Sequence, residues 1–391
     1  MKVDLMICGG GPVGLTLALG AARLGLQVAL IERSAPLEPA AEQGSFDGRM
    51  LALNLGSQQL LSALGIWSVL APKTTAIEHV NVSQQGHLGV VTLHADQLGV
   101  PALGYSVLGR DLGQVLQQLV QAESRIQVFQ PARLSAFEQD DQGVAALIHT
   151  ETGEQRLRGR LLVGADGTQS TVRSLLGWPL QEKDYHSYAI LAQVETWYPH
   201  KGWSFERFTA EGPVALLPFG THQHKAVYVC PATQLDRLMA LDDASWLAAF
   251  TRKMGPRFGG FRATSPRLAY PLKEAYVPRV ATGRVALLGN ASHTQHPVAA
   301  QGLNLGLRDV ADYLAGLETA QALDQPDWLE AFEAKRQADH QAVMGMTDSL
   351  VSLFQLPQPL AGHLRGLGLM ALEVMPRLKR RLAHFSMGLQ G

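Results

Sequence analysis

Three glycine-bearing segments, set far apart along the chain, carry residue types that can bind a nucleotide. Gly-Gly-Gly-Pro-Val-Gly occupies residues 9–14, Gly-Ala-Asp-Gly occupies residues 164–167, and a longer segment covers residues 289–304. Glycines let backbone amides approach phosphate oxygens, and Asp and Asn side chains can hydrogen-bond to sugar hydroxyls. Together the three segments predict one site wrapped around one large nucleotide cofactor.

The first segment has the order strand, loop, helix. Residues 3–8 are a mostly apolar run typical of a buried parallel strand, and a helix rich in small residues is predicted from the loop to Leu24. In this arrangement Gly9 permits a tight turn and Gly11 lets the backbone approach a pyrophosphate at the helix N-terminus, while Gly14 allows close helix packing.

An acidic residue ends the second predicted strand. Residues 27–31 form that strand, and Glu32 follows it, 18 residues after Gly14. A carboxylate at this position can accept hydrogen bonds from a ribose, and Arg33 beside it is a further candidate contact. The alternative is a glycine-rich turn that binds nothing, which the order of strand, loop, helix, strand and acid disfavours.

Composition points to an ordinary cytoplasmic enzyme. The net charge is −1 and the pI is about 6.9, so no basic field indicates a nucleic-acid partner. The two cysteines offer neither a disulfide framework nor a metal-ligand pattern. The uncharged run over residues 5–22 is broken by glycines and a proline, which indicates a strand–loop–helix unit and not a membrane span or signal peptide.

Charged residues are scarce, at 17% of the chain against about 25% in typical soluble domains. Either the core is large or part of the surface faces something less polar than water.

Motifs that the sequence lacks restrict the possible chemistry further. The chain has no second strand–GxGxxG–helix unit, no Cys-x-x-Cys pair, and no carboxylate and histidine cluster at metal-ligand spacing. Redox chemistry is therefore expected to belong to the bound cofactor.

The middle of the chain changes character. Polar and apolar stretches alternate over residues 181–275, which predicts antiparallel strands and a helix near residues 246–253. Residues 284–288 then return to the nucleotide-binding pattern, so the cofactor domain is expected to be discontinuous. The predicted fold class is mixed α/β, with a Rossmann-like domain, an inserted antiparallel sheet and a C-terminal helical segment. The expected divisions are 1–73, 97–180 and 276–330 for the cofactor domain, 74–96 and 181–275 for the substrate domain, and 331–391 for the helical region.

The chain resembles the single-component FAD-dependent aromatic hydroxylases, the para-hydroxybenzoate hydroxylase class, over nearly all of its 391 residues. Within that class it is most similar to the hydroxylases of ubiquinone biosynthesis. The resemblance rests on Gly-Asn-Ala at the start of the third segment, the pair His296-Pro297, Gln-Gly-Leu-Asn-Leu-Gly-Leu-Arg-Asp at residues 301–309, and the C-terminal helical extension.

This resemblance implies a set of residues that contact FAD. The glycines of the first segment would hold the pyrophosphate, Glu32 the adenosine ribose, and two arginines with a nearby glutamine the phosphates and ribitol. The second segment would serve both FAD and NAD(P)H, and the third would border the isoalloxazine ring. The implied residues are Gly9, Gly11, Gly14, Glu32, Arg33, Arg49, Arg110, Gln114, Asp166, Gly167, Gly289, Asn290, Pro297, Gly302, Leu303 and Asn304.

The resemblance also implies an activity. NAD(P)H would act as a transient co-substrate that reduces FAD, and O₂ would then form a C4a-hydroperoxyflavin that hydroxylates a phenol. The expected reaction converts 2-polyprenyl-6-methoxyphenol to the 1,4-benzoquinol. Hydroxylation at another ring position, or of a soluble phenol, is the alternative. A flavin-binding assembly partner without turnover is an alternative of another class.

Two features remain open at this stage. No catalytic base is assigned, because His293 and His296 in the third segment could relay a proton or could simply shape the loop.

Residues 357–391 carry five basic side chains against one acidic side chain, a net charge of +4, among many Leu and Met residues. Pro376 predicts a break into two helices. The basic apolar end could rest on an anionic membrane or dock on the cofactor domain, and a multi-enzyme assembly is a further expected partner.

Overall fold

The computed structural model describes residues 2–35, 50–294, 301–318, 323, 325–355 and 360–389. Its strands, in chain order, are β1 (Leu5–Cys8), β2 (Val28–Ile31), β3 (Met50–Asn54), β4 (Thr74–Ile77), β5 (His79–Gln84), β6 (Val90–His94), β7 (Gly104–Leu108), β8 (Ile126–Phe129), β9 (Ala132–Asp140), β10 (Gly143–Thr150), β11 (Gly153–Gly159), β12 (Leu161–Gly164), β13 (Gln181–Thr196), β14 (Trp203–Phe208), β15 (Val214–Phe219), β16 (Gln223–Pro231), β17 (Phe261–Thr264), β18 (Leu268–Tyr276), β19 (Ala281–Thr282), β20 (Val285–Leu287) and β21 (His293–Thr294).

The helices alternate with these strands and then take over the C-terminal region. They are α1 (Pro12–Arg23), α2 (Leu55–Ala63), α3 (Trp67–Leu70), α4 (Ala95–Leu98), α5 (Gly109–Ala122), α6 (Thr171–Leu175), α7 (Leu235–Met239), α8 (Asp243–Met254), α9 (Gln301–Leu317), α10 (Trp328–Gln355), α11 (Leu360–Val374) and α12 (Pro376–Ser386).

A six-stranded sheet places the three glycine-bearing segments side by side. Its order is β19-β20-β12-β1-β2-β8, and all pairs are parallel except β19 with β20. Strands β1, β2, β12 and β20 are buried at every residue, as short apolar runs in a parallel sheet should be. Each glycine-bearing segment follows one of the adjacent strands β20, β12 and β1. Because parallel strands end at the same edge, the segments meet there.

A second sheet of nine strands runs in the order β21-β18-β13-β16-β15-β14-β5-β6, with β17 added on β13. It therefore joins β5 and β6 to the strands of the later insertion, although about a hundred residues separate them. One detail differs from the antiparallel expectation, because β14 and β5 pair in parallel. Within residues 74–96, β4 lies outside this sheet. It pairs with β7 in a three-stranded sheet of order β3-β7-β4. The domain limits themselves stay a prediction.

The helix predicted near residues 246–253 is α8, and it covers one face of the second sheet. Asp242 caps the helix by accepting a hydrogen bond from the Ser245 amide at 2.7 Å. Trp246 and Phe250 are fully buried against the sheet. Helix α8 therefore covers the central strands of this face.

The C-terminal region is helical, and α12 begins at Pro376, where the sequence predicts a break. Ala383 and Met387 of this region are buried in a small apolar cluster with Leu55 of α2 and Leu103. The Gly56 amide donates to the Met387 carbonyl at 2.8 Å, which ties the chain end to the start of α2. Among the residues described, no helix combines the length and the apolar character needed to cross a bilayer.

Candidate functional site

The loop after β1 is crowded at two glycines and open at the third. A Cβ on Gly9 would lie 2.3 Å from the Ala165 carbonyl oxygen, and one on Gly14 would lie 2.0 Å from the Gly9 oxygen. Gly9 also has φ +112°, which favours glycine. A Cβ on Gly11 would meet nothing within 4 Å. Open space therefore lies at the N-terminus of α1, where Gly11 is the N-cap and no side chain caps the helix. A pyrophosphate fits the chemistry of that position.

Glu32 lies beside this loop at the end of β2. One of its carboxylate oxygens accepts from the Gly10 amide at 2.5 Å, and the other accepts from the Ser34 amide at 2.7 Å. These bonds hold the carboxylate next to the turn that the cofactor would contact. Arg33 points outward and is exposed. The predicted ribose contact of Glu32 and the cofactor contact of Arg33 stay predictions.

Asp166 in the second segment serves the short helix α6 and leaves one oxygen available. Its Oδ2 accepts from the amides of Thr171 at 2.6 Å and Val172 at 3.3 Å. Its Oδ1 is buried without a hydrogen-bond partner among the described residues. A buried acceptor without a donor is costly unless a ligand or water completes it. Gly167 follows with φ +80°. The donor groups of a bound cofactor would suit this oxygen.

Arg173 connects the second segment to the third, a role that the sequence did not reveal. The side chain is only 8% exposed, and its guanidinium donates to the Ala291 carbonyl at 3.2 Å and to the Thr168 carbonyl at 2.8 Å. The hydroxyls of Thr168 and Thr294 lie 3.0 Å apart. The only sequence signal was a basic residue at the start of a helix, which is too common to indicate such a link.

The third segment begins at Gly289, which packs directly on the first. A Cβ on Gly289, where φ is +58°, would lie 3.0 Å from Val13 Cγ2, and one on Gly306 would lie 2.9 Å from the same atom. The Gly289 amide donates to Asp309 Oδ2 at 2.8 Å. Asn290 is exposed at the mouth of this junction, which leaves its amide group able to reach a ligand.

Helix α9 starts beside the same junction. A Cβ on Gly302 would meet nothing within 4 Å, so space is open there as at Gly11, and Leu303 is half-buried next to it. Arg49, His296 and Pro297 are predicted site residues that lie outside the described part of the chain.

Asn304 uses its side chain to fix α9 on β3 and α2. Its Oδ1 accepts from the Asn54 amide at 2.9 Å and from the Ser57 hydroxyl at 2.8 Å, and its Nδ2 donates to the Ala52 carbonyl at 2.9 Å. The residue is 2% exposed. The side chain therefore positions the start of α9, whichever backbone atoms border the flavin.

Arg110 and Gln114 lie one turn apart near the start of α5 and are both exposed. The opposite face of α5 is buried through Leu112 and Leu116, which fixes the direction of the exposed face. The structure thus keeps the two side chains available together, and their predicted contact with FAD stays a prediction.

A buried ionic network behind the third segment was not predicted. Asp309 Oδ1 accepts from Arg336 Nε at 2.7 Å and lies 2.9 Å from His340 Nε2, and Oδ2 accepts from Gly289. Arg336 also donates to Asp312 and Asp339. Burial alone would raise the pKa of Asp309, but His340, His293 and Arg336 together hold that pKa below its usual range. The network anchors the start of the third segment to α9 and α10.

His293 belongs to this buried group. It is 0% exposed, its Nδ1 lies 2.9 Å from the Ser292 hydroxyl, and its ring lies 4.2 Å from that of His340. Burial, with a smaller effect of His340, lowers the pKa of His293 to about 3. The imidazole therefore stays neutral near physiological pH, which favours the structural interpretation over proton relay.

The fold brings together three possible metal-ligand side chains that sequence spacing did not indicate. Ligand atoms of His293, Asp309 and His340 lie within 4.8 Å of one another, although sequence spacing gave no hint of a cluster. The residues come from β21, α9 and α10, which only the tertiary structure brings together. The guanidinium of Arg336 at 2.7 Å from Asp309 already supplies the positive charge there, and its repulsion disfavours a cation.

Three loops that meet at the carboxyl edge of adjacent parallel strands, with open space at Gly11 and Gly302, define a Rossmann-like dinucleotide-binding protein. The "FAD binding domain" family matches residues 2–347. The ubiquinone hydroxylase UbiL of Rhodospirillum rubrum is 35% identical over 390 residues, 98% of this chain and 89% of the relative. The 3-demethoxyubiquinol 3-hydroxylase of Escherichia coli is 29% identical over 99% of this chain and 98% of its own length.

A solved structure agrees with the fold. The p-nitrophenol 4-monooxygenase PnpA from Pseudomonas putida DLL-E4 matches with a TM-score of 0.81 over 100% of this chain and 99% of that chain, at 16% identity. This chain belongs to the FAD-dependent hydroxylase family of ubiquinone biosynthesis, and it is an FAD-dependent monooxygenase. The fold class, the family and the FAD cofactor predicted from the sequence are confirmed.

Proposed function

We propose that the chain hydroxylates the ring of a prenylated phenol during ubiquinone biosynthesis. The observation that carries this proposal is that the second sheet adjoins the loop junction, since Lys225 Nζ of β16 donates to the Met50 carbonyl at 2.7 Å and β21 of the third segment pairs with β18. We expect the apolar ring to be held between this sheet and the loops. The near full-length relation to a ubiquinone hydroxylase supports the substrate class. One atom of O₂ enters the ring and the other leaves as water, while NAD(P)H and one proton are consumed.

The residues at the loop junction fit the parts of FAD. The amides at the start of α1, beside Gly11, would hold the pyrophosphate, and Glu32 would accept from the ribose. Asp166 Oδ1 offers a buried acceptor to the cofactor. FAD, when bound, supplies hydride acceptance from NAD(P)H and activation of O₂. The protein excludes water from this junction and holds the substrate ring beside it.

For the ring position, we propose conversion of 2-polyprenyl-6-methoxyphenol to the 1,4-benzoquinol, as the resemblance implies. The second candidate is hydroxylation at the position named for the Escherichia coli relative, a 3-demethoxyubiquinol 3-hydroxylase. Both reactions need the same flavin chemistry, and they differ in which ring carbon the pocket holds beside the flavin.

Cells that lack this chain are expected to accumulate 2-polyprenyl-6-methoxyphenol and to lose ubiquinone when grown with oxygen. Mass spectrometry of prenylated phenols measures both. Accumulation of 3-demethoxyubiquinol would select the second candidate, and unchanged ubiquinone would contradict the proposal. Substrate-stimulated NAD(P)H oxidation by the purified chain, with matching hydroxylated product, separates an enzyme from a flavin-binding assembly partner without turnover.

A surface beside the chain end would place the enzyme at the membrane that holds such a lipid. Seven large apolar side chains, here called the C-terminal surface, are exposed on α11, on α12 and at the β5–β6 turn: Leu88, Leu367, Met370, Val374, Met375, Leu378 and Leu382. The turn touches α11, because a Cβ on Gly89 would lie 2.4 Å from the Gly366 oxygen, and Glu373 accepts from the Thr92 amide at 3.0 Å.

Basic side chains flank this surface on α12. Arg377, Arg380 and Arg381 are exposed, while Ala383 on the opposite side of the helix is buried. Apolar side chains beside exposed arginines suit the headgroup region of an anionic bilayer. We therefore propose peripheral contact with an anionic membrane at the C-terminal surface.

The double variant Leu378→Ser/Leu382→Ser should float at least about tenfold less with vesicles containing phosphatidylglycerol, because two exposed leucines leave the contact. Both side chains are more than a third exposed, so the fold should tolerate the change. The matched control is Leu175→Ser, an exposed leucine on α6 far from this surface in sequence. Equal flotation of the double variant and the wild type would contradict membrane contact. If the wild type does not bind vesicles but binds a partner protein of the biosynthetic assembly, and the double variant loses that binding, the C-terminal surface contacts a protein and not a membrane.

A further inference from the structure

The two faces of the nine-stranded sheet differ in accessibility. On β15 the side chains Val214 and Leu216 are fully buried in the cluster with Trp246 of α8. The alternate residues Ala215 and Leu217 on the other face are only half-buried. Because strand side chains alternate between faces, the second face is less enclosed than the first at β15, whereas Ala189 and Val229 on the same face of β13 and β16 are buried.

The half-open face looks toward the flavin-binding loops. Lys225 of β16 is the cross-strand neighbour of Leu217 on this face, and its Nζ donates to the Met50 carbonyl at 2.7 Å. Met50 is the first residue of β3, and the Asn54 amide at the end of this strand donates to Asn304 Oδ1 of the third segment at 2.9 Å. At the end of β15, the Gly220 amide donates to the Thr75 hydroxyl at 2.9 Å. These bonds join this side of the sheet to β3 and β4, and we expect the substrate ring to lie on this side.

One carboxylate sits in the middle of this apolar wall. Glu206 of β14 pairs with Ala215 of β15, which in turn pairs with Val227 of β16 and through it with Leu191 of β13. On its other side Glu206 pairs with Val82 of β5. Registered partners place their side chains on the same face. Glu206 is thus the polar member of a row of five side chains, and all five are half-buried.

The carboxyl group of Glu206 forms no hydrogen bond or ion pair with any residue in the described ranges. Burial raises the pKa of Glu206 to about 7, and the residue as a whole is half-buried. The flanking strands β5 and β15 carry no other ionisable side chain on this face. Lys225 lies one strand further and is bound to Met50, and Tyr105 of β7 packs against the Trp67 ring at 4.7 Å.

We propose that Glu206 is a catalytic residue that contacts the hydroxyl of the phenol substrate and accepts its proton during hydroxylation. This inference rests on the proposed function. The phenol O–H bond breaks, a bond forms between the proton and a Glu206 carboxylate oxygen, and the electron pair stays on the phenol oxygen. The added electron density makes the ring carbon more nucleophilic toward the incoming oxygen atom. The ring carbon that receives the oxygen atom then loses its own hydrogen as a proton to water, and the proton on Glu206 returns to the phenol oxygen as the aromatic quinol forms, so the carboxylate is regenerated.

The reason to assign this role to Glu206 is a match of chemistry and place. Ring hydroxylation is electrophilic, so a base at the phenol oxygen lowers the barrier, and a positioned base contributes about 10²–10⁴-fold. An unpaired carboxyl on an apolar wall is destabilising unless it serves a ligand. A group that changes charge near neutral pH and faces a cleft is a candidate for such a function.

Glu206→Gln, with Glu182→Gln as the matched control, tests this role in the FAD-loaded enzyme. Glutamine keeps the size of the side chain and removes its basicity, and Glu182 is an exposed carboxylate on β13 of the same sheet. The probes are 2-geranyl-6-methoxyphenol and unprenylated 2-methoxyphenol. Hydroxylated product and NAD(P)H oxidation are followed across roughly two pH units on either side of neutrality. Flavin absorbance confirms that both variants retain FAD.

In the wild type, kcat/KM should rise with pH through about 7, because the carboxylate form is the base. Glu206→Gln should lose this rise and about 100-fold of kcat at the alkaline end, with little change in KM. Glu182→Gln should keep the wild-type profile. A wild type without the rise, or a Glu206→Gln variant that retains it, would overturn the assignment.

Phenol affinity gives a second readout that needs no turnover. The perturbation of flavin absorbance by 2-methoxyphenol should show an affinity that depends on pH through about 7 in the wild type and is flat in Glu206→Gln. If 2-methoxyphenol is hydroxylated and the prenylated probe is not, the proposed substrate fails while the pH profiles still decide the role of Glu206. If the wild type and Glu206→Gln hydroxylate the prenylated probe equally well, the proposed substrate class is supported and Glu206 is not the base.

Discussion

Gly11→Ala should yield a folded protein that no longer holds FAD. The new Cβ would meet no protein atom within 4 Å, and the φ of −78° suits alanine, so the loop itself is not strained. The methyl group would instead occupy the open space at the N-terminus of α1 where the pyrophosphate is expected. We expect FAD affinity to fall on the order of 100-fold, about 2.7 kcal/mol, while apo-protein stability changes by about 1 kcal/mol or less.

Gly14→Ala is the matched comparison, with the opposite expectation. Its Cβ would lie 2.0 Å from the Gly9 carbonyl oxygen, and that backbone cannot move without disturbing the turn. We expect this variant to lose several kcal/mol of stability or to fail to fold. Flavin absorbance per protein, fluorescence titration of apo-protein with FAD, and thermal unfolding of the apo forms distinguish the two results. Wild-type flavin content in Gly11→Ala would show that the pyrophosphate lies elsewhere.

Arg336→Met should destabilise the folded protein by about 3–5 kcal/mol. Arg336 is 1% exposed and donates to three carboxylates, those of Asp309, Asp312 and Asp339. Its removal leaves a buried group of carboxylates with too little positive charge, although Asp309 keeps His340, Asp312 keeps Lys335 and Asp339 keeps Arg308. The flavin loop should loosen as well, because Asp309 accepts from the Gly289 amide.

Lys335→Met is the control, since Lys335 also pairs with Asp312 but is 60% exposed. A surface ion pair contributes about 0–1 kcal/mol, so this variant should remain close to the wild type. Urea denaturation of both variants, with and without saturating FAD, gives the unfolding free energies and shows whether the loop is affected. Equal losses in the two variants would mean that the network is not a stabilising unit.

Sequence reasoning succeeded where the physical requirement is local. Gly9 and Gly14 are required by a tight turn and close packing within a few residues, and Pro376 cannot continue a helix. Such constraints restrict which residue types can occupy positions at a fixed spacing. The family and the cofactor were predicted from three segments of this kind, each at the end of a strand.

The features that sequence reasoning missed depend on contacts between distant segments. Asp309 and Arg336 lie 27 residues apart on separate helices, and neither position looks unusual alone. Glu206 carries a signal only in retrospect. It sits in the strand Trp-Ser-Phe-Glu-Arg-Phe, where the neighbouring Phe205 marks one face as core, but nothing in that string shows that the other face is also enclosed.

The third flavin loop is shared between the two large sheets. It leaves β20 of the parallel sheet, and within a few residues β21 pairs with Ala275 and Tyr276 at the end of β18. The second sheet and the third segment are therefore parts of one continuous hydrogen-bonded structure. A chimera that exchanges residues 181–276 with a relative would replace one side of the β18–β21 pair. To transfer a new ring specificity to this protein, β21 should therefore be exchanged together with residues 181–276, so that both strands of the β18–β21 pair come from the same protein.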